Sequence, residues 1–425
     1  MPAGPACECH GGRTTWGRHI RMPFTAGRTP PADALLNPSI GNCDAAMRNP
    51  SSPFSSGSAC LRSEGGSPIS RSPRKAVVVY QVVVTRGYAQ PDGSTVFGDI
   101  GLSRLTDAGL AWRVLEEEAE EVRADQLEGA DALLVLGPER ITEASIPASG
   151  RLRHIARFGA GFDAVDTDAC TRRGVLVTNT PDAVRRPVAD SVVALLYALS
   201  HQLVVKDRLV REGRWAERAR WRGSGLIGAT AGIVGLGGIG LETARRLRAQ
   251  GLRVLGYNRG DRGREAADIG IELRPLDEVL AVSDYVIVTV AANPGTRHFI
   301  GERELALMRP TARLINVSRG VVVDEEALIA RLSDGRLAGA GLDVFTEEPL
   351  TADSPLTALD NVVLAPHSLC WTDQYTAAVS ASVTASLIAV SHGRQPRETV
   401  NGPFPAGTWP GARACGDNED ERDRT

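Results

Sequence analysis

Arg319, Glu348 and His367 stand in that order along a chain of 425 residues, each in its own local setting. The settings are Asn316-Val317-Ser318-Arg319-Gly320, Asp343-Val344-Phe345-Thr346-Glu347-Glu348-Pro349 and Ala365-Pro366-His367. An arginine can clamp a carboxylate with its planar fork. A histidine can give or take a proton near neutral pH, and a carboxylate beside it can hold it ready. Behind a loop that binds a dinucleotide, these parts suit hydride transfer between a nicotinamide and a 2-oxo or 2-hydroxy acid. Each residue taken singly has a plainer reading: a solvated arginine, a solvated pair of loop carboxylates, one of seven histidines. Their order and shared position, each following a strand of one block, join them into a candidate catalytic set.

Such a loop lies upstream. The apolar run Ala231–Val234 reads as a strand, Gly235-Leu236-Gly237-Gly238-Ile239-Gly240 as a turn, and Leu241 to Gln250 as a helix. This is G-x-G-x-x-G in the strand–turn–helix context it requires. Gly235 allows the tight turn, Gly237 lets the backbone approach a pyrophosphate, and Gly240 lets helix pack on strand. The helix N-terminus offers free amides to the phosphates. The next strand ends Gly256-Tyr257-Asn258-Arg259, where an enzyme using NAD usually carries an acid for the ribose 2′-hydroxyl. A carboxylate would repel a 2′-phosphate and an arginine would bind it. Asn258 and Arg259 therefore favour NADP over NAD, with Asp261 as the acid that would serve NAD.

These loops need a scaffold of alternating strands and helices, which implies α/β architecture with parallel sheets covered on both faces. Strands are expected at Ala76–Val84, Leu110–Val114, Ala132–Leu136, Ile155–Ala156 and Val175–Val177. A second block holds Ala231–Val234, Arg253–Tyr257, Tyr285–Val290, Arg313–Asn316, Gly339–Asp343 and Asn361–Leu364, spaced as in a doubly wound sheet. Long helices are expected at Ala183–Leu203 and Thr376–His392. Residues 1–74 and 403–425 are rich in Pro, Gly, Ser or charge, lack periodicity, and read as a disordered extension and a disordered tail.

Composition narrows the function further. The hydrophobic fraction is 42%, the charged fraction 23% and the net charge −3, so nothing favours nucleic acid or an acidic membrane. Lysine occurs only at Lys75 and Lys206, so any phosphate contact in the core must come from arginine or backbone. The seven cysteines are scattered and do not read as a disulfide framework. Cys7, Cys9 and His10 form too weak a pattern for a metal site, so none is expected. No apolar run reaches the roughly 18 residues of a membrane helix, and a cytoplasmic enzyme is the expectation.

Together these motifs resemble the D-isomer-specific 2-hydroxyacid dehydrogenase family, which includes glyoxylate/hydroxypyruvate reductases and phosphoglycerate dehydrogenases. The resemblance runs from about Ala76 to Gly402. It adds Arg153-His154-Ile155-Ala156-Arg157-Phe158-Gly159-Ala160-Gly161-Phe162-Asp163, similar to the family's substrate loop, and Gly174–Pro181 with Val188-Ala189-Asp190, similar to its crossover. The resemblance implies two Rossmann-like domains, with the cofactor domain (181–368) inserted in a substrate domain (75–180 and 369–402). It implies that Arg319 anchors the substrate carboxylate and carbonyl oxygen. His367 protonates that oxygen, and Glu348 favours its imidazolium form. It further implies that backbone amides around Gly159, Ala160 and Gly161 bind the carboxylate, that Asp343 contacts the nicotinamide amide, and that Val317 and Ser318 line the cofactor beside the glycine loop. Family members are commonly homodimers. A small 2-oxo acid such as glyoxylate or hydroxypyruvate is the expected substrate. A phosphoglycerate dehydrogenase-like activity and a nicotinamide-sensing corepressor are the alternatives.

The chain departs from the family pattern in places. Gly238 replaces an arginine that often follows the second loop glycine. Thr289 and Ala291 replace a histidine and a proline near the adenosine. Gly137-Pro138 stands where many members have Arg-Ser, so a phosphorylated substrate has one anchor fewer. Ser368-Leu369-Cys370-Trp371 replaces the common Ile-Gly-Gly or Ile-Gly-Ser and is expected to reshape the pocket.

Overall fold

The computed structural model describes residues 79–402 and 404. The expected extension, most of the tail, Cys7, Cys9, His10 and the start of the first strand lie outside the described residues.

Five strands form one wholly parallel sheet: β1 (Gln81–Val84), β2 (Ala111–Val114), β3 (Ala132–Val135), β4 (His154–Arg157) and β5 (Leu176–Thr178), in the order β2-β1-β3-β4-β5. Seven more form a second parallel sheet: β6 (Thr230–Val234), β7 (Arg253–Tyr257), β8 (Glu272–Leu273), β9 (Tyr285–Val288), β10 (Arg313–Asn316), β11 (Gly339–Leu342) and β12 (Val362–Leu364). Their order is β12-β11-β10-β9-β6-β7-β8. The chain moves outward one way from β6 and then returns to start again at β9, so the switch point lies between these two neighbours. Ligands in open α/β sheets bind at such a point, beyond the carboxyl ends of the strands.

Among the described residues ten α-helices connect and cover the sheets: α1 (Leu102–Asp107), α2 (Thr167–Arg172), α3 (Pro181–His201), α4 (Leu203–Arg211), α5 (Gly238–Ala249), α6 (Gly263–Ile269), α7 (Leu276–Val282), α8 (Glu302–Leu307), α9 (Glu325–Ser333) and α10 (Asp373–Ser391). A parallel sheet is buried on both faces, so its strands are continuously apolar rather than alternating. Val82, Val83 and Val84 show this, with no exposed surface. Val82 and Val84 point to one apolar cluster and Val83 to the other.

Helix α3 serves both sheets. Its first turn puts Val184 into the core of the first, while Val192, Leu195, Leu196 and Leu199 enter a core of the second. Pro181 opens it at a position where a missing N–H costs nothing. The expected helix Ala183–Leu203 breaks near its end: Gln202 is left-handed, with φ 56°, and α4 leaves at a 61° bend. Helix α10 returns to the first sheet, burying Val379, Val383 and Leu387. The following segment closes that lobe: Val400 N donates to Val177 O at 2.8 Å, and Asn401 Oδ1 accepts from Val177 N at 2.8 Å.

Strand β8 was not foreseen. It has two exposed residues at the sheet edge and carries no apolar run. The first strand begins at Gln81 rather than Ala76, and the remaining strands fall within a residue or two of expectation. Among the described residues no single helix is long and apolar enough to cross a membrane.

Candidate active site

The loops singled out in the sequence all follow the carboxyl ends of strands. The Phe158–Gly161 loop follows β4, the glycine loop β6, and Val317–Arg319 follows β10. Asp343 and Glu348 follow β11, and His367 follows β12.

His367 and Glu348 meet. His367 Nδ1 donates to Glu348 Oε2 at 2.8 Å, and Glu348 Oε1 accepts from Phe345 N at 3.0 Å. The ring is thereby fixed with Nε2 as its second nitrogen. Burial alone raises the Glu348 carboxyl. The His367 hydrogen bond and charge, the Phe345 amide and the Arg319 charge outweigh that effect and hold it below the usual range. Glu348 therefore stays anionic beside the imidazole, as a partner that orients it must.

His367 has φ 53°, a left-handed conformation that costs a non-glycine residue on the order of 1 kcal/mol. Neighbouring bonds impose it. His367 N donates to Ala365 O at 3.0 Å. Asp343 Oδ1 accepts from Ser368 N at 3.0 Å and Leu369 N at 3.3 Å, fixing the turn that leaves the histidine. Asp343 was expected at the nicotinamide amide; its carboxylate holds the turn that follows His367. It is buried, and burial pushes its carboxyl up to about 6 in spite of the two amides. An acid raised in this way binds its proton more tightly folded than unfolded. Its contribution to stability is therefore full below pH about 4 and is lost as pH rises to about 6. Asp343→Asn keeps an Oδ1 acceptor and removes the titration. The variant should gain up to about 3 kcal/mol relative to wild type at pH 7.5, and nothing of this kind at pH 4. Thermal unfolding at the two pH values measures the difference; an equal shift at both would contradict the assignment.

Arg319 is held from two sides. Its Nη1 donates to Ser318 O at 2.7 Å, and its Nε and Nη2 reach Asp163 Oδ1 at 3.2 and 3.0 Å. Burial raises the Asp163 carboxyl, but Arg319 outweighs it and the group is held low. Gly161 makes the close approach possible: a Cβ there would overlap Arg319 Nη2. Asn316 shapes the turn, accepting from Ser318 N at 3.0 Å and Ser318 Oγ at 2.8 Å and donating to Arg319 O at 3.0 Å. The sequence reading gave Asp163 and Asn316 no roles. Asp163 had no local signal, since its partner lies 156 residues away.

The substrate loop needs one correction. Gly159 N already donates to Thr180 Oγ1 at 3.1 Å, so it is not a free donor for a carboxylate. Thr180 N in turn donates to Gly159 O at 2.9 Å, and Asn179 Nδ2 to Ala160 O at 2.7 Å, tying the loop to the start of α3. Among the described residues, the amides of Ala160 and Gly161 have no protein acceptor. They lie against the Arg319 guanidinium, an arrangement of donors that suits an anion.

The glycine loop fits a dinucleotide. Gly235 turns at φ 101°, and a Cβ on Gly240 would overlap Gly235 O, so strand and helix touch through backbone. A Cβ on Gly237 would meet nothing within 4 Å, leaving the face a pyrophosphate would use open. Gly238, Ile239 and Gly240 begin α5, whose amides have no intrahelical partner there. Ile239 packs against the core of the first lobe. Thr289, one of the departures, stitches the turn by donating to Gly235 O at 2.6 Å. Asn258 does the same from β7: its Oδ1 accepts from Leu236 N at 2.9 Å and its Nδ2 donates to Gly260 O at 2.9 Å. Arg259 lies 6.0 Å over the Phe299 ring and donates to Gly295 O at 3.2 Å. Asp261 is turned away into the start of α6, accepting from Gly263 N at 2.8 Å.

The altered segment after His367 joins an aromatic cluster. Trp371 packs edge-on against Phe97 at 4.7 Å and Tyr88 at 5.7 Å, and Phe97 continues to Phe158 at 5.0 Å. Cys370 is partly buried, and burial pushes its thiol up to about 12, so it is no nucleophile.

A fold of two parallel sheets, with a dinucleotide loop at a switch point and an Arg–Glu–His set at neighbouring strand ends, defines a nicotinamide-dependent oxidoreductase. The chain belongs to the D-isomer-specific 2-hydroxyacid dehydrogenase family. The family's NAD binding domain, described as "D-isomer specific 2-hydroxyacid dehydrogenase, NAD binding domain", matches residues 193–368. A glyoxylate reductase of Pyrococcus furiosus is 42% identical over 297 residues, 68% of this chain and 88% of that one. The crystal structure of an NADPH-dependent glyoxylate/hydroxypyruvate reductase from Sinorhizobium meliloti, with NADP and malonate, is 30% identical with a TM-score of 0.66. That likeness covers 78% of this chain and 98% of that one. A D-lactate dehydrogenase from Aquifex aeolicus, complexed with NAD and lactic acid, is 28% identical with a TM-score of 0.67, over 76% of this chain and 99% of that one. The protein is an NAD(P)-dependent oxidoreductase acting on the CH–OH group of small 2-hydroxy acids and on the corresponding 2-oxo acids.

Proposed function

We propose that the protein reduces a small 2-oxo acid of the glyoxylate or hydroxypyruvate type, with NADPH as its preferred hydride donor. The observation that carries this reading is the pairing of His367 with Glu348 alongside Arg319, whose guanidinium abuts the free amides of the substrate loop. Arg319 and the Ala160 and Gly161 amides hold the substrate carboxylate. A nicotinamide dinucleotide held by the glycine loop and the amides at the start of α5 would supply the hydride that reduces the substrate's C2. The carbonyl π pair takes a proton from His367 Nε2, and Glu348 stabilises the imidazolium before transfer.

A small, uncharged far end is favoured by the loop after β3. Glu139 folds back so that its Oε2 accepts from Gly137 N at 3.0 Å, and the residue is buried. A carboxylate thus stands in the loop where the family resemblance leads one to expect an arginine, and it would repel a phosphate. This argues against a phosphorylated substrate.

NADPH is favoured because no carboxylate serves the end of β7. Asp261 is engaged in its own turn and Asn258 in the glycine loop, and Arg259, exposed and steadied by Gly295 O, is the cation offered to a 2′-phosphate. The glyoxylate/hydroxypyruvate reductase of S. meliloti, described as NADPH-dependent, supports the same choice. Initial rates on glyoxylate, hydroxypyruvate and phosphohydroxypyruvate, each with NADPH and NADH, test both points. The expected result is highest kcat/KM for an unphosphorylated acid with NADPH. Preference for NADH would overturn the cofactor choice, and preference for the phosphorylated acid the substrate choice.

The proposal includes a homodimer. Leu203, Val204, Val210, Trp215 and Ile227 expose apolar surface between α3 and β6, with Ile227 93% exposed. Sedimentation should give twice the chain mass; a monomer would contradict it.

A further inference from the structure

The start of α5 is where a nicotinamide dinucleotide's phosphates belong, yet Gly238 contributes no side chain there. The space above Gly238 is filled from elsewhere. A Cβ on that residue would overlap Arg185 Nε and lie 3.0 Å from Arg185 Cδ and Cζ. Arg185 belongs to α3, the helix whose first turn is anchored in the first sheet's core. Its guanidinium is half exposed and steadied by Asp182, Nη2 to Oδ1 at 2.5 Å, one turn earlier on the same helix. It thus stands beside the unpaired amides of Gly238, Ile239 and Gly240 and next to the open face at Gly237.

We propose that Arg185 is the cationic side chain that binds the cofactor's pyrophosphate, supplied from α3 rather than from the glycine loop. The amides of a helix start give direction and a partial positive charge, but they leave most of a pyrophosphate's charge uncompensated. An arginine fork next to them supplies charge and paired donors. Because α3 is rooted in the first lobe, the cofactor's phosphates contact both the substrate-loop side of the molecule and the cofactor sheet. The neighbouring Arg186 is also exposed and, among the described residues, makes no hydrogen bond or ion pair to the loop, which makes it the natural control. The inference rests on the nicotinamide dinucleotide reading of the loop and adds to it a residue outside the loop.

Dissociation constants for NADPH and NADH, measured by titration calorimetry on the full chain, test it. Arg185→Ala should weaken both cofactors about tenfold and by the same factor, since both carry the pyrophosphate. The loss should shrink as salt is raised. Arg186→Ala should change neither. In the Arg185→Ala background, Gly238→Arg should restore most of the affinity, because the overlapping guanidinium is gone and a charge returns to the same place. An unchanged Tm in Arg185→Ala separates lost contact from lost folding. Equal affinity in Arg185→Ala and wild type would overturn the inference, as would a loss confined to NADPH, which would assign the arginine to the 2′-phosphate. Failure of wild type to bind either cofactor would instead overturn the dinucleotide reading itself.

Discussion

His367→Ala lowers kcat for 2-oxo acid reduction by about a thousandfold and leaves cofactor binding intact. The expectation follows from the geometry: among the described residues the imidazole is ion-paired through Nδ1 to Glu348 at 2.8 Å, which leaves Nε2 for the substrate oxygen. General acid catalysis by a positioned histidine contributes on the order of a hundred- to ten-thousandfold. Removing it also exposes the strained backbone at φ 53° to a residue with no side-chain partner, but the turn is fixed by Asp343 and survives. Glu348→Gln distinguishes orientation from charge. The amide can still bond Nδ1, yet the negative charge that favours the imidazolium is gone. Turnover should then fall, by less than in His367→Ala, with cofactor binding kept. Wild-type turnover in Glu348→Gln would contradict the pairing's electrostatic role, and retained turnover in His367→Ala would remove His367 from the chemistry.

Arg319→Lys should reduce kcat/KM by about a hundredfold or more, because an ammonium cannot reproduce two parallel bonds to a carboxylate. The loss should appear in KM as well as kcat, since the same fork holds the substrate before and during transfer. Gly161→Ala tests the same contact from the other side. A Cβ at residue 161 would displace the Arg319 guanidinium from its place against Asp163, so this small substitution should approach the loss seen in Arg319→Lys. If Gly161→Ala retained wild-type kcat/KM, the placement of Arg319 against the substrate loop would be wrong.

Much of the scaffold was legible because parallel strands are buried on both faces and so read as short apolar runs. Ala132–Val135 and Tyr285–Val288 are examples. The edge strand β8 has no such run and could not be read. The break at Gln202 was hidden because apolar residues continue across it in Leu203, Val204 and Val205. At the site, Arg319, Glu348 and His367 were legible as types in order, and the structure brings Glu348 and His367 into direct contact. What could not be read were pairings between distant residues. Asp163 with Arg319, Asn258 with the Leu236 amide, and Arg185 over Gly238 each depend on which strand end faces which, and sequence spacing carries no information on that. Gly159 was misread for the same reason: its amide's acceptor, Thr180, lies beyond the next strand.

The most direct test of the central claim is to follow the hydride itself. Hydroxypyruvate is incubated with NADPH deuterated at the transferring C4 position, and the product is analysed by mass and by chiral separation. D-glycerate carrying one deuterium at C2, formed in step with cofactor oxidation, is the expected result. Oxidised cofactor without deuterium in the product would contradict direct transfer in a site built around Arg319, Glu348 and His367, and an L product would contradict the D stereochemistry.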